Sequence, residues 1–238
     1  MQLTELHYFA GRGRAETTRW MLAACRIPFD KVPIDTPQAL AALRDSGILP
    51  FDQLPLLEIA GLRISQTTAL LRYLARRGDL DGDDTTDALW CDMIVGVAAD
   101  LAEPAIFAAF SPSQDSAVKA LRHRVDKFCP RLERRLAQNG GSFMAGRRLS
   151  FADVVLGEAL SAHLELAPDI LEGFPLLAAM QRALVQTPGI AAYIASPQRW
   201  PIANEAYVTS VAQVLERALP PPLPPHMPDP NRFVRSSG

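Results

Sequence analysis

The chain is poor in cysteine: its 238 residues include only Cys25, Cys91 and Cys129, and no CxxC pair. These are too few and too scattered for a disulfide framework or a zinc cluster. Cys25 and Cys91 fall in apolar helical patterns, where a reduced cysteine behaves as a small core residue. Charge of one sign is also lacking. The net charge is -2, so no basic field draws the chain to nucleic acid or acidic membranes. The arginines at 131–135 and 147–148 alternate with apolar or acidic residues and are read as solvated helix faces. No stretch of about 18 uncharged apolar residues occurs, which argues against a membrane span. The N-terminus, MQLTELHYFAGRGRAE, lacks the basic head and apolar run of a signal peptide. The expectation is a cytoplasmic protein with no nucleic-acid and no membrane partner. No carboxylate pair, metal box or Ser-His-Asp set is present, so no metal is expected. The GRGRAE stretch lacks the third glycine and acidic follow-up of a dinucleotide fingerprint.

What is present is an ordinary globular composition, 48% hydrophobic and 21% charged, enough for one large domain or two modest ones. Residues 2–8 alternate loosely and end in a glycine-rich turn at Ala10 to Gly13. The spacing of Ala15, Thr18, Met21, Leu22 and Cys25 fits an amphipathic helix. Pro28 stops that helix, and Phe29 to Ile34 reads as a second strand. Thr36-Pro37 opens a short helix running to about Asp45. Leu54 to Ile59 and Leu62 to Ile64 form strands around an Ala60-Gly61 turn, and a helix over 66–77 closes the unit. The acidic, glycine-containing stretch 79–86 is a linker. Beyond it the strand signal fades. Helical patterns follow at about 87–110, 115–137, 151–166, 174–186, 188–196 and 204–218. Residues 219–238 hold seven of the 20 prolines and form a Pro-rich tail, read as polyproline II or disordered. The domains expected are therefore 1–78, α/β, and 87–218, all-helical.

Four stretches in this order carry a family resemblance: LHYFAGRGRAETTRWMLA (6–23), QLPLLEI (53–59), ISQTTALLRYLA (64–75) and FMAGRRLSFADVVL (143–156). Over residues 2–218 the chain resembles cytosolic glutathione transferases of the tyrosine type, with greatest likeness to the sigma class. The resemblance implies an α/β thioredoxin-like N-terminal domain plus an all-α C-terminal domain, with glutathione as co-substrate and a homodimer as the assembly. The chemistry can also be argued from the residues. A free thiol titrates near about 8.5, so it is mostly protonated at neutral pH. A hydrogen-bond donor and positive potential at the sulfur shift that balance toward thiolate. Tyr8, at the end of the first strand, is such a donor and keeps its own proton, since phenols titrate near about 10. Arg14 and the following helix N-terminus add positive potential. Other classes of the family use Ser or Cys just after the first strand, and residues 9–14, FAGRGR, contain neither.

The remaining site residues follow from the resemblance. Leu54-Pro55 matches the family's cis-proline, which turns the Leu54 backbone toward the cysteinyl backbone of glutathione. Gln66-Thr67 stands at a helix start that faces the γ-glutamyl carboxylate, and Gln53 matches a further peptide contact. Arg44 stands where relatives carry a Lys for the glycyl carboxylate. The Trp that often precedes that Lys is missing from TPQALAAL (36–43), leaving the glycyl end held less tightly or by Arg44 alone. Asp100 aligns with an acid that reaches the γ-glutamyl amine across a dimer interface. Gly96 and Ala99 replace acids of sigma-class prostaglandin synthases, which argues against a metal-responsive cluster. Phe9, Gly13, Ala102 and Phe107 are the expected pocket for a small-molecule electrophile, with Ala159, His163 and Leu219 unplaced. Thr17 and Thr18 are read as packing or back-bonding residues inside the helix. Ser150 to Asp153, with Leu149 and Val154, is read as a capping box and staple with a folding role. The implied activity is conjugation of glutathione to an electrophile, or a glutathione-dependent isomerisation or peroxide reduction. A binding or scaffold protein of the same fold with little catalysis is the alternative.

Overall fold

The computed structural model describes residues 3–217; Leu219 and the proline-rich segment 219–238 lie outside the described residues. The first unit is a four-stranded sheet in the order β2-β1-β3-β4. β1 (Glu5–Phe9) runs parallel to β2 (Asp30–Ile34), with Tyr8 level with Pro33. On its other side β1 pairs antiparallel with β3 (Leu56–Ile59), which turns through Ala60-Gly61 into β4 (Leu62–Ile64). Alternation along β1 puts Leu6 and Tyr8 on one face and His7 on the other, and all three are buried.

α1 (Glu16–Ala24) connects the two parallel strands and buries Trp20, Met21 and Leu22. α2 (Pro37–Asp45) starts as its sequence requires: the Thr36 hydroxyl accepts the Ala39 N–H at 3.1 Å, and Pro37 occupies the first turn, where an N–H is not needed. α3 (Thr67–Arg77) completes the unit. The second unit begins earlier than its composition suggests. α4 (Thr85–Phe107) takes Thr85 and Thr86 out of the expected linker, because the Asp84 carboxylate accepts the N–H groups of Thr86 and Asp87. A 3-10 turn continues it to Phe110. The combined helix is long and apolar enough, by length and composition, to cross a membrane. Here it packs against α5 (Gln114–Gln138) and α6 (Phe151–Leu166).

α6 is buried on nearly every side, as expected of a helix that is apolar all round. It packs against both α4 and α1, so one core runs through both units. Its start is fixed by Asp153, whose carboxylate accepts the Ser150 N–H and hydroxyl at 2.8 Å each and the Met144 N–H at 2.7 Å. α7 (Pro175–Leu184) and α8 (Pro188–Ala195) cover this core. α9 (Glu205–Val214) crosses back to the first domain, where Val214 joins Ile34 and Leu40 in a small separate cluster.

Candidate functional site

A cavity of about 590 Å3 opens between the sheet unit and α4. Tyr8 enters it from the end of β1. After Phe9 the chain doubles back, with the Gly11 N–H on the Phe9 carbonyl at 2.7 Å. Gly13 then takes a left-handed φ of 43°, a conformation that costs a residue with a β-carbon about 1–2 kcal/mol. That turn aims the Arg14 N–H at the Tyr8 hydroxyl oxygen, 3.0 Å away. Burial pushes the Tyr8 pKa up, against the Arg14 hydrogen bond and the charges of Arg14 and Arg19. The phenol therefore holds its proton at neutral pH, with one lone pair engaged and the O–H free to donate.

The opposite wall comes from the loop before β3 and the start of α3. The Leu54-Pro55 peptide is cis, and both residues line the cavity. Gln66 has a φ of 69° as the residue capping α3, and its amide nitrogen donates to the Gln53 side-chain oxygen at 2.6 Å. Thr67 and Thr68 follow in the first turn, which carries no acidic residue. Free N–H groups at such a turn favour an anionic group. Arg44 also reaches the cavity, paired with Asp52 at 2.9 Å. Tyr8, Arg14, Arg44, Gln53, Leu54, Pro55, Gln66 and Thr67 thus surround one space.

Other expected residues fall elsewhere. Asp100 is exposed on α4, off the cavity wall, and forms no ion pair among the described residues. Of the expected electrophile pocket, Phe9 and Ala102 lie on the wall, together with Ile106, Val155 and Leu215. Gly13 does not line this cavity. It borders a second one of about 300 Å3. Phe107 lines neither cavity and is turned outward, its ring 5.5 Å from the Arg14 guanidinium and 6.2 Å from the Phe110 ring. Ala159 is core, and His163 is buried with Nδ1 2.7 Å from the Ala159 carbonyl oxygen. Burial lowers the His163 pKa to about 4.

Several residues near the site have roles that sequence reading does not assign. Thr17 lines the larger cavity, and its hydroxyl donates to the buried Glu158 of α6 at 2.8 Å; it is a cross-domain contact rather than a back-bonding residue. Glu158 belongs to an interdomain group in which Glu16 pairs with Arg19 and accepts the Tyr193 hydroxyl, each at 3.0 Å. Arg12 and Arg199 both pair with Glu165 in the same group. Tyr207 of α9 lies against the Gly11–Gly13 turn. On the other side of the sheet, Glu5, His7 and Glu58 bring ligand-type atoms within 4.8 Å of one another. His7 Nε2 is already 3.0 Å from Glu58, and its Nδ1 has no partner among the described residues. Metal-bound imidazoles almost always have that second nitrogen anchored, so the group is read as a His7–Glu58 hydrogen bond.

Comparison with known proteins gives the family of the chain. Residues 4–76 match the glutathione S-transferase N-terminal domain and residues 99–197 match the C-terminal domain. The chain is 38% identical over 215 residues to glutathione S-transferase 3 of Gallus gallus, covering 88% of this chain and 93% of that protein. It is 34% identical over 213 residues to glutathione S-transferase alpha-3 of Rattus norvegicus, covering 88% and 96%. The crystal structure of the glutathione S-transferase from Ascaris lumbricoides superposes with a TM-score of 0.71 at 28% identity, covering 82% of this chain and 97% of that one. With two matching domains in order and relatives alike over nearly their whole length, the chain belongs to the glutathione S-transferase family.

Proposed function

We propose that the chain is a tyrosine-type glutathione transferase that holds the sulfur of bound glutathione as a thiolate with the Tyr8 hydroxyl. The observation that carries this reading is the Arg14 N–H on the Tyr8 oxygen at 3.0 Å. It fixes the phenol at the cavity while leaving the proton to point at a ligand. The motifs resemble the sigma class and one relative carries an alpha-class name; the mechanism rests on Tyr8 rather than on the class.

Glutathione fits the cavity from end to end. Its cysteinyl backbone pairs with Leu54 beside Pro55, and Gln53 and Gln66 flank it. Its γ-glutamyl carboxylate takes the N-terminus of α3 at Thr67, and its glycyl carboxylate takes Arg44 in exchange with Asp52. The thiol proton leaves to solvent, and the sulfur lone pair forms the new S–C bond at the electrophile. The electrons of the bond broken there go to the leaving group or, in an addition, to the acceptor's electron-withdrawing group. Phe9, Ala102 and the neighbouring Ile106 supply an apolar seat for that electrophile.

The assembly we propose is a homodimer. Phe51 is 65% exposed and Leu89 58% exposed, with Leu62 and Met93 also out in solvent. A second copy laid along α4 covers these side chains and offers its Asp100 to the γ-glutamyl amine. The three free cysteines, two of them buried, support a reducing, cytoplasmic setting. The test of the central claim is the thiolate absorbance of bound glutathione followed against pH. Tyr8→Phe is expected to raise the pKa of the bound thiol by about two, from loss of a charge-assisted hydrogen bond of about 1.5–3 kcal/mol. An unchanged thiol pKa in Tyr8→Phe overturns the mechanism.

A further inference from the structure

The turn that presents Arg14 to Tyr8 is enclosed on both sides by tyrosine. A β-carbon on Gly13 would lie 2.6 Å from the Tyr8 hydroxyl oxygen and 3.0 Å from that of Tyr207. A β-carbon on Gly11 would run into the Tyr207 ring itself. Tyr207 thus rests against the bare backbone of this turn, and its hydroxyl and that of Tyr8 both crowd the Gly13 position. The place of Tyr207 is set by two further contacts. The Asn204 side chain accepts its N–H at 3.1 Å, opening α9. Its ring meets the Phe110 ring edge-on at 6.1 Å. The far end of α9 returns to the glutathione cavity, where Leu215 lines the wall.

The Tyr207 hydroxyl makes no hydrogen bond among the described residues. Burial, and then the nearby Tyr8, push its pKa up, so it holds its proton at all physiological pH values. A phenol with a free O–H, half-buried beside the thiolate-holding hydroxyl, is a donor without a protein acceptor. A thiolate takes more than one hydrogen bond, and donors to an ionised acceptor are the strong ones.

We infer that Tyr207 is a second hydrogen-bond donor to the glutathione sulfur, contributed by the C-terminal helix and acting alongside Tyr8. This rests on the reading of Tyr8 given above. Two donors on one sulfur divide the stabilisation between them, and the second couples thiolate formation to the docking of α9.

The experiment is the pH titration of bound-thiolate absorbance on the full chain, in the parent, Tyr8→Phe and Tyr207→Phe. Phenylalanine keeps the ring on Gly11 and against Phe110, so a merely structural role leaves the thiol pKa unmoved. The expected result is a thiol pKa raised by about one in Tyr207→Phe, with a larger rise in Tyr8→Phe. At pH values below the thiol pKa this is a roughly tenfold loss of thiolate. If Tyr8→Phe raises the pKa and Tyr207→Phe does not, the second donor is refuted and the Tyr8 mechanism stands. If Tyr207→Phe alone raises it, the Tyr8 mechanism fails while the donor role of Tyr207 holds. If neither moves it, both are wrong. Thermal unfolding of each variant confirms that the folded proteins are being compared.

Discussion

Replacing Glu158 with glutamine should stabilise the protein at pH 8 and leave it little changed at pH 5. Glu158 is 8% exposed on α6, and one carboxylate oxygen takes the Thr17 hydroxyl at 2.8 Å. Burial and then the Glu16 carboxylate push its pKa up to about 7, against the Thr17 hydrogen bond and the charges of Arg12 and Arg199. An unfolded glutamate titrates near about 4.3. Between these values the folded chain holds a proton that the unfolded chain has released. The stability Glu158 contributes is therefore fully present below about pH 4.3, declines as pH rises through 7, and is absent above it. The full difference corresponds to about 3–4 kcal/mol, and relaxation of the surroundings reduces it to about 2 kcal/mol. Glutamine is the same size, accepts from Thr17 and carries no charge, so Glu158→Gln removes the penalty only where the parent is ionised. Urea unfolding of both proteins, at fixed protein concentration and at pH 5 and pH 8, gives the difference of differences. If glutamine costs the same at both pH values, Glu158 titrates as an ordinary glutamate and the reasoning fails.

Gly13→Ala should cost about 1–2 kcal/mol in stability from the left-handed backbone and lower kcat/KM more than tenfold. Its β-carbon would stand 2.6 Å from the Tyr8 hydroxyl oxygen, and steady-state kinetics with unchanged glutathione affinity would show that the phenol, not the binding site, was displaced. Asp153→Ala leaves the Ser150 and Met144 N–H groups without their acceptor and should cost about 3 kcal/mol, read as the shift in urea midpoint. The KM for glutathione should be unaffected in the folded variant; a raised KM without loss of stability would contradict a purely structural role. Phe51→Asp should convert the proposed homodimer to monomer in sedimentation equilibrium, and a variant that sediments as a dimer like the parent would move the interface away from this face.

Sequence patterns located the parts whose physics is local. Thr36-Pro37 announced α2 because a hydroxyl cap and a first-turn proline act within four residues. Ser150 and Asp153 announced α6 for the same reason. Tyr8, the glycine turn and Arg14 were legible as a unit because the hydrogen bond that joins them spans only six positions. The linker expected over 79–86 overruns the start of α4 at Thr85, because aspartate reads alike as loop composition and as a helix cap. Asp84 proves to be the cap.

What escaped the sequence depends on which distant segments come together. Phe107 is among the pocket residues expected from sequence, whereas Ile106, one position earlier on the same helix, lines the cavity. One position on a helix is about 100° of rotation, so a small error in register exchanges wall for surface. Thr17 had a helical neighbour to bond by sequence and instead bonds Glu158, which only α6 packed on α1 brings within reach. The glycines at 11 and 13 join both cases. From sequence they explain a sharp turn, and Gly13 indeed needs its left-handed φ. Gly11 has no such need. Its lack of a side chain is required because Tyr207, from the last described helix, lies across it. The turn after β1 is therefore shaped by the C-terminal end of the fold as much as by its own residues. Tyr207→Phe should therefore raise the thiol pKa of bound glutathione although every residue of the N-terminal motif is intact.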